Sequence, residues 1–272
     1  MSDSPPHIGW LADTGNRVRT KCGMEVPIWT LNHAPDAKIL SAWAKHFRNH
    51  YCDDRQIDSL RKGTTLSRAD YLTQMKFPDA SEAPGPGIRS GDFAEILFAD
   101  YVEYLLGYWV PRTRYERKAV RNESTKGSDI LGFRFQRVDR PSPQDTLLIF
   151  ESKAQFSGKK ASAILQKAID DSNKDELRKA ESLNAIKQRF LDLHETNNAE
   201  RIERFQSPED RPYRSLYGAA ALFTSEIFDE AVLKECDADA HAHKSRLALI
   251  VIHGSRLMAL VNQLYGLAAN EA

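Results

Sequence analysis

The sequence predicts a mixed α/β (α+β) fold: a central sheet of parallel and antiparallel strands flanked by helices, behind a mainly helical N-terminal segment. Three observations carry this. Apolar, β-rich runs stand at 146–150, 216–223 and 247–252, each short enough to be a buried strand. Apolar residues recur at helical spacing over 36–51, 91–106 and 255–267, and a long helical stretch covers 161–205. The order strand, helix, strand between 216 and 252 asks for a parallel pair, so the sheet is expected to be mixed.

In chain order, residues 1–35 read as an irregular or strand-rich arm with a strand at 26–31. Ile39, Leu40, Trp43, Ala44 and Phe47 then mark one face of a helix. Ser67 is placed to cap a helix carrying Tyr71, Leu72 and Met75. The run from Asp79 to Gly87, rich in Pro and Gly, is the strongest breaker and the expected boundary between a 1–85 segment and an 86–272 domain. An amphipathic helix over 91–106 is followed by strands expected at 108–120, 130–138 and 146–151, which together suit a meander. The helical stretch after them is expected to break near Ser172-Asn173 and Asn197-Asn198. A helix over 226–235 separates the last two strands.

Composition narrows the class. With 41% hydrophobic and 28% charged residues, the 272-residue chain has the make-up of an ordinary soluble globular protein. No apolar stretch approaches a membrane span, and the N-terminus lacks the order of a signal peptide, so a cytoplasmic location is expected. Cys22, Cys52 and Cys236 are odd in number and scattered, which argues against a disulfide framework. The 38 basic and 38 acidic residues cancel, which neither supports nor excludes nucleic-acid binding. Locally, Arg112, Arg114, Arg117, Lys118, Arg121 and Lys126 cluster just ahead of Asp129. Such a run suits either a phosphate backbone or a solvated strand edge.

Two short segments carry the chemistry: Gly127-Ser128-Asp129-Ile130 and Ile149-Phe150-Glu151-Ser152-Lys153. Side chains alternate along a strand, so Glu151 and Lys153 share a face and Ser152 takes the other. An acid and a base sharing one face at the end of a buried strand are poorly explained by solvation. A divalent cation and a scissile phosphate explain both.

This pattern resembles the PD-(D/E)xK nuclease superfamily, with Ser128 where the family has its Pro. More narrowly, GDFAEIL (91–97), KGSDILGF (126–133) and IFESKAQFSG (149–158) resemble the HamA-like nuclease subunit of Hachiman antiphage defence. The resemblance implies a restriction-endonuclease-like core and a metal-dependent nuclease acting on DNA. It implies Mg²⁺ (or Mn²⁺) held by Asp129, Glu151 and the Ser152 carbonyl, with Glu95 as a further acid from the preceding helix. Lys153 would orient or help deprotonate the attacking water and stabilise developing negative charge. Arg117, Lys118, Lys126, Lys159 and Lys160 are the expected phosphate contacts. The implied partner is a superfamily 2 helicase (HamB-like), with part of 1–85 as the docking surface. A non-catalytic binding module on a nuclease-like fold and a stand-alone restriction endonuclease are the alternatives.

Other patterns carry less. His46 and His50 stand at i and i+4 ahead of Cys52, Asp53 and Asp54, a spacing that can bind zinc, but without the glutamate of a zincin or a second Cys pair. Cys236 with His241 and His243 is weaker still. Gln166 reads as a surface glutamine. No P-loop and no nucleophile elbow is present.

Overall fold

A computed structural model describes residues 4–272, the side chains of 175–177 excepted. A 3₁₀ turn (Pro6–Trp10) leads into β1 (Leu11–Arg19) and β2 (Glu25–Leu31). Helices α1 (Ala37–Tyr51), α2 (Ile57–Arg61) and α3 (Arg68–Tyr71) follow, the last running into a π turn (Leu72–Lys76). Next come α4 (Gly85–Asp100), a second π turn (Tyr101–Leu105), β3 (Ile130–Arg134) and β4 (Thr146–Gln155). Helices α5 (Ile164–Ser172), α6 (Asp175–Asp192) and α7 (Thr196–Glu203) precede β5 (Arg214–Thr224). The chain closes with α8 (Ala231–Lys234), β6 (Leu247–Gly254) and α9 (Leu257–Asn270).

The strands form one mixed sheet in the order β1-β2-β6-β5-β4-β3. The pairs β2–β6, β6–β5 and β5–β4 are parallel, and the outer pairs β1–β2 and β3–β4 are antiparallel hairpins. Side-chain alternation divides the core between the two faces. Leu148, Phe150, Ala220, Leu222, Ile250 and Ile252 pack under α1, α4 and α9. Leu147, Ile149, Ala219, Ala221 and Val251 pack under α5, α6 and α7. This is the helix-flanked mixed sheet that the sequence predicts, consistent with a restriction-endonuclease-like core.

Local chemistry explains the helix starts. The Asp36 carboxylate accepts from the amides of Lys38 and Ile39 at 2.9 and 3.1 Å and so caps α1, which buries Leu40, Trp43, Phe47 and Tyr51. Ser67 caps α3 through the amide of Asp70. Pro86 lies in the first turn of α4, where its missing N–H costs nothing, so this helix starts well before Gly91.

Four expectations are corrected. No strand forms over 108–120; the segment touches the sheet through one bridge, Trp109 to Phe133, and then winds through turns. Pro111 lacks a ladder donor, and Arg112, Arg114 and Lys118 turn inward to buried acids. The second break in the helical stretch falls at 193–195, where His194 takes φ +60°, and Asn197-Asn198 lie inside α7. The helix expected over 226–235 shrinks to Ala231–Lys234. The N-terminal arm contains a full strand, β1, which the sequence did not mark.

Candidate active site

The site sits where β3 begins and β4 ends its buried run. In the β3–β4 hairpin Ile130 pairs with Phe150, and continuing that register sets Asp129 beside Glu151. The Asp129 carboxylate accepts from the backbone N–H of Ser152 at 3.0 Å, which locks the two motif segments together. Glu151 is 3% exposed and faces α5 with Lys153, on the same side as Leu147 and Ile149. The Lys153 ammonium pairs with Glu151 and lies 3.1 Å from Asp171, in the last turn of α5. Burial works against its charge, but Glu151, Asp129 and Asp171 outweigh that and raise its pKa above the ordinary range.

Arg114 joins the remaining acids. Its Nε lies 2.7 Å from Glu95 and its Nη2 donates to Asp129 at 3.0 Å, while Nη1 donates to the Ser128 carbonyl at 2.5 Å. The Tyr115 hydroxyl donates to the same Glu95 oxygen at 2.5 Å. Burial, with Asp129 and Asp92 nearby, pushes the Glu95 carboxyl up to about 8 against the pull of Arg114. Below lies a polar network: Tyr51 donates to Asp92 at 2.7 Å, and Lys118 pairs with Asp92 at 2.8 Å. Burial is also what raises Asp92 above the usual carboxylate range.

A family model described as HamA matches residues 6–268. The chain belongs to the HamA family. No curated protein and no solved structure matches it. Family membership makes it a component of Hachiman-type antiphage defence, and no helix among its described residues is long and apolar enough to cross a membrane.

In this HamA-family chain the expected site residues fall into three groups. Asp129, Glu151, Ser152 and Lys153 come together at one strand end. Glu95 joins them through Arg114; Glu95, Asp129 and Glu151 do not bring three carboxylate oxygens within 4.8 Å of one another. The basic residues scatter. Lys118 is buried against Asp92, which removes it from the phosphate contacts expected of it. Arg117 is exposed but paired with Asp192. Lys126, Lys159 and Lys160 are exposed. A cavity of about 310 Å³ opens beside Asp129 and is lined by Glu95, Arg114, Tyr115, Lys126, Arg189 and His50.

Sequence reasoning missed Arg114, Tyr115 and Asp171 as site residues. Asp170 and Asp171 did leave a signal, since two acids in the last turn of a helix oppose its dipole and ask for a cation. Gln166 is no surface glutamine: it accepts from the amide of Asp237 at 2.7 Å and donates to its carbonyl at 2.9 Å, tying α5 to that loop.

The donor set of Asp129, Glu151 and the Ser152 carbonyl is all oxygen, which fits a hard dication such as Mg²⁺. In the structure the charge of the acids is met by Arg114 and Lys153, two cations standing at the place where a dication's charge is wanted.

Proposed function

We propose that this HamA-family chain is a metal-dependent nuclease of the PD-(D/E)xK type that hydrolyses DNA as the effector subunit of its defence complex. The observation that carries the reading is the β3–β4 register: it sets Asp129 beside Glu151, and Lys153 follows on the same face as Glu151. Asp129 and Glu151, with the Ser152 carbonyl, would hold Mg²⁺ (or Mn²⁺). When bound, the ion supplies a polarised phosphate and a more acidic water. Glu95 holds Arg114, and Arg114 in turn orients Asp129.

Lys153 pairs with Glu151 and lies beside Asp171, which holds its ammonium at the strand end as a positive charge. It would stabilise the negative charge that builds on the phosphate as water attacks. Lys126, Lys159 and Lys160, exposed near the strand end, supply phosphate contacts without base reading. No P-loop stands in the chain, which supports a separate ATP-driven partner, a superfamily 2 helicase of the HamB type, as the regulator.

The test is Mg²⁺-dependent degradation of plasmid and single-stranded DNA, with and without that helicase and ATP. Glu151→Ala and Lys153→Ala are each expected to lower the rate by at least about 100-fold with folding intact. Rates unchanged by both substitutions would overturn the assignment. DNA binding without cleavage under every condition would favour the non-catalytic binding module.

A further inference from the structure

A second polar cluster lies away from the β4 strand end, where three separate parts of the chain meet. His7 comes from the first 3₁₀ turn, His46 and His50 from successive turns of α1, and Asp100 from the last residue of α4. Asp100 and His7 are fully buried. His7 Nε2 lies 2.9 Å from Asp100 Oδ2, and His46 Nε2 lies 2.9 Å from Asp100 Oδ1. His7, His46 and Asp100 present ligand atoms that all lie within 4.8 Å of one another. His50 Nε2 points at His46 Nε2 across 3.4 Å.

Proton counting shows that hydrogen bonds to Asp100 leave the 3.4 Å contact between His46 and His50 unmade. A ring nitrogen carries either a proton or a lone pair. If His46 Nε2 donates to Asp100, it has no lone pair to offer His50. If it accepts from His50, it turns a lone pair toward a carboxylate oxygen 2.9 Å away. A cation accepts lone pairs from His7, His46 and Asp100 at once. Imidazole nitrogens with one carboxylate are the ligand set of zinc-class ions, and zinc ligands at about 2.0–2.1 Å in a tetrahedron stand about 3.3 Å apart. Arg112 Nη2, 2.8 Å from Asp100 Oδ1 and 2.5 Å from Glu103, supports the carboxylate from outside, as partners of ligating carboxylates do. His50 also lines the cavity beside Asp129, which gives an ion a path inward.

We propose that His7, His46 and Asp100 bind one Zn²⁺ with a fourth position left open on the His50 side, which ties the N-terminal turn and α1 to the end of α4. The site uses none of the residues of the nuclease reading and does not depend on it.

The full-length chain, stripped with EDTA and supplied with excess Mg²⁺, is titrated with Zn²⁺, and in parallel with Co²⁺ followed by visible absorption. The expected result for the wild type is one tight equivalent, a rise in Tm and the intense bands of tetrahedral Co²⁺. His7→Gln and His46→Gln should each weaken binding at least about tenfold, whereas Glu151→Gln should leave it unchanged. A wild-type chain that takes up no Zn²⁺ and shows no shift in Tm would overturn the proposal, with no variant needed. Binding that Glu151→Gln removes and His46→Gln spares would place the ion on the strand-end carboxylates and overturn it equally.

Discussion

Arg114 bears on the strand-end site through charge as much as through shape. Its side chain is 18% exposed and spans Glu95 and Asp129, themselves 16% and 10% exposed. Removing one partner of a buried pair leaves the other charge without compensation, which typically costs about 3–5 kcal/mol, whereas the intact pair contributes far less. Here a single guanidinium serves Asp129 and Glu95, and since burial pushes the Glu95 carboxyl up to about 8, the charge left uncompensated is chiefly that of Asp129. Arg114→Ala is therefore expected to lower urea-unfolding stability by about 3–5 kcal/mol. Arg114→Lys should recover only part of this, because an ammonium lacks the planar fork that reaches both carboxylates and the Ser128 carbonyl. A loss below about 1 kcal/mol for the alanine variant would show that water replaces the guanidinium without penalty.

At the scale of elements, the strand that carries Glu151 depends on a glycine in its neighbour. Gly218 of β5 pairs with Phe150 of β4, and the Phe150 ring lies against the place where a side chain would start. A Cβ at 218 would stand 2.1 Å from ring carbon Cδ2, closer than any packing allows. Gly218→Ala must therefore displace Phe150, the residue directly before Glu151. Overpacking of this kind costs about 1–3 kcal/mol, and activity on DNA should fall further than that loss of stability explains. Unchanged thermal unfolding together with unchanged cleavage would mean the ring finds another rotamer at no cost. Glycines at such contacts are hard to read from sequence, as are several elements here. The buried strands β4, β5 and β6 were legible because their apolar runs leave no other reading, and α1 because its apolar face is regular. β1 was not: Leu11–Arg19 is largely exposed, carries Gly15 and shifts register between Asp13 and Arg17, so no alternation marks it. The same physics divided the site. Asp129, Glu151 and Lys153 declared themselves through spacing, whereas the inward turn of Arg114 and Lys118 follows from buried acids on α4 that are distant in sequence.

At the scale of the whole molecule, the N-terminal segment is built into the sheet. β2 pairs with β6 through Ile28, Trp29 and Thr30, so removing residues 1–85 would strip β6 of a neighbour and leave an open parallel edge. One continuous apolar cluster runs from Ile8 through Trp43, Phe47 and Tyr51 of the N-terminal part to Leu264, Tyr265 and Ala269 of α9. Phe47 and Tyr265 meet edge to face with centroids 4.9 Å apart, and the Tyr51 and Tyr265 hydroxyls hydrogen-bond at 2.6 Å. A fragment of 86–272 would expose this surface and leave Asp92 without the Tyr51 hydroxyl. It is expected to aggregate or to lack a cooperative thermal transition, measured by calorimetry beside the full chain. A sharp transition with native-like near-UV dichroism would show instead that the nuclease-like half folds alone. The outcome also fixes how a docking role for 1–85 can be tested. If the fragment does not fold, loss of partner binding on deletion says nothing about docking, and the test must use substitutions at exposed positions such as Leu60 on α2, which leave the shared core intact.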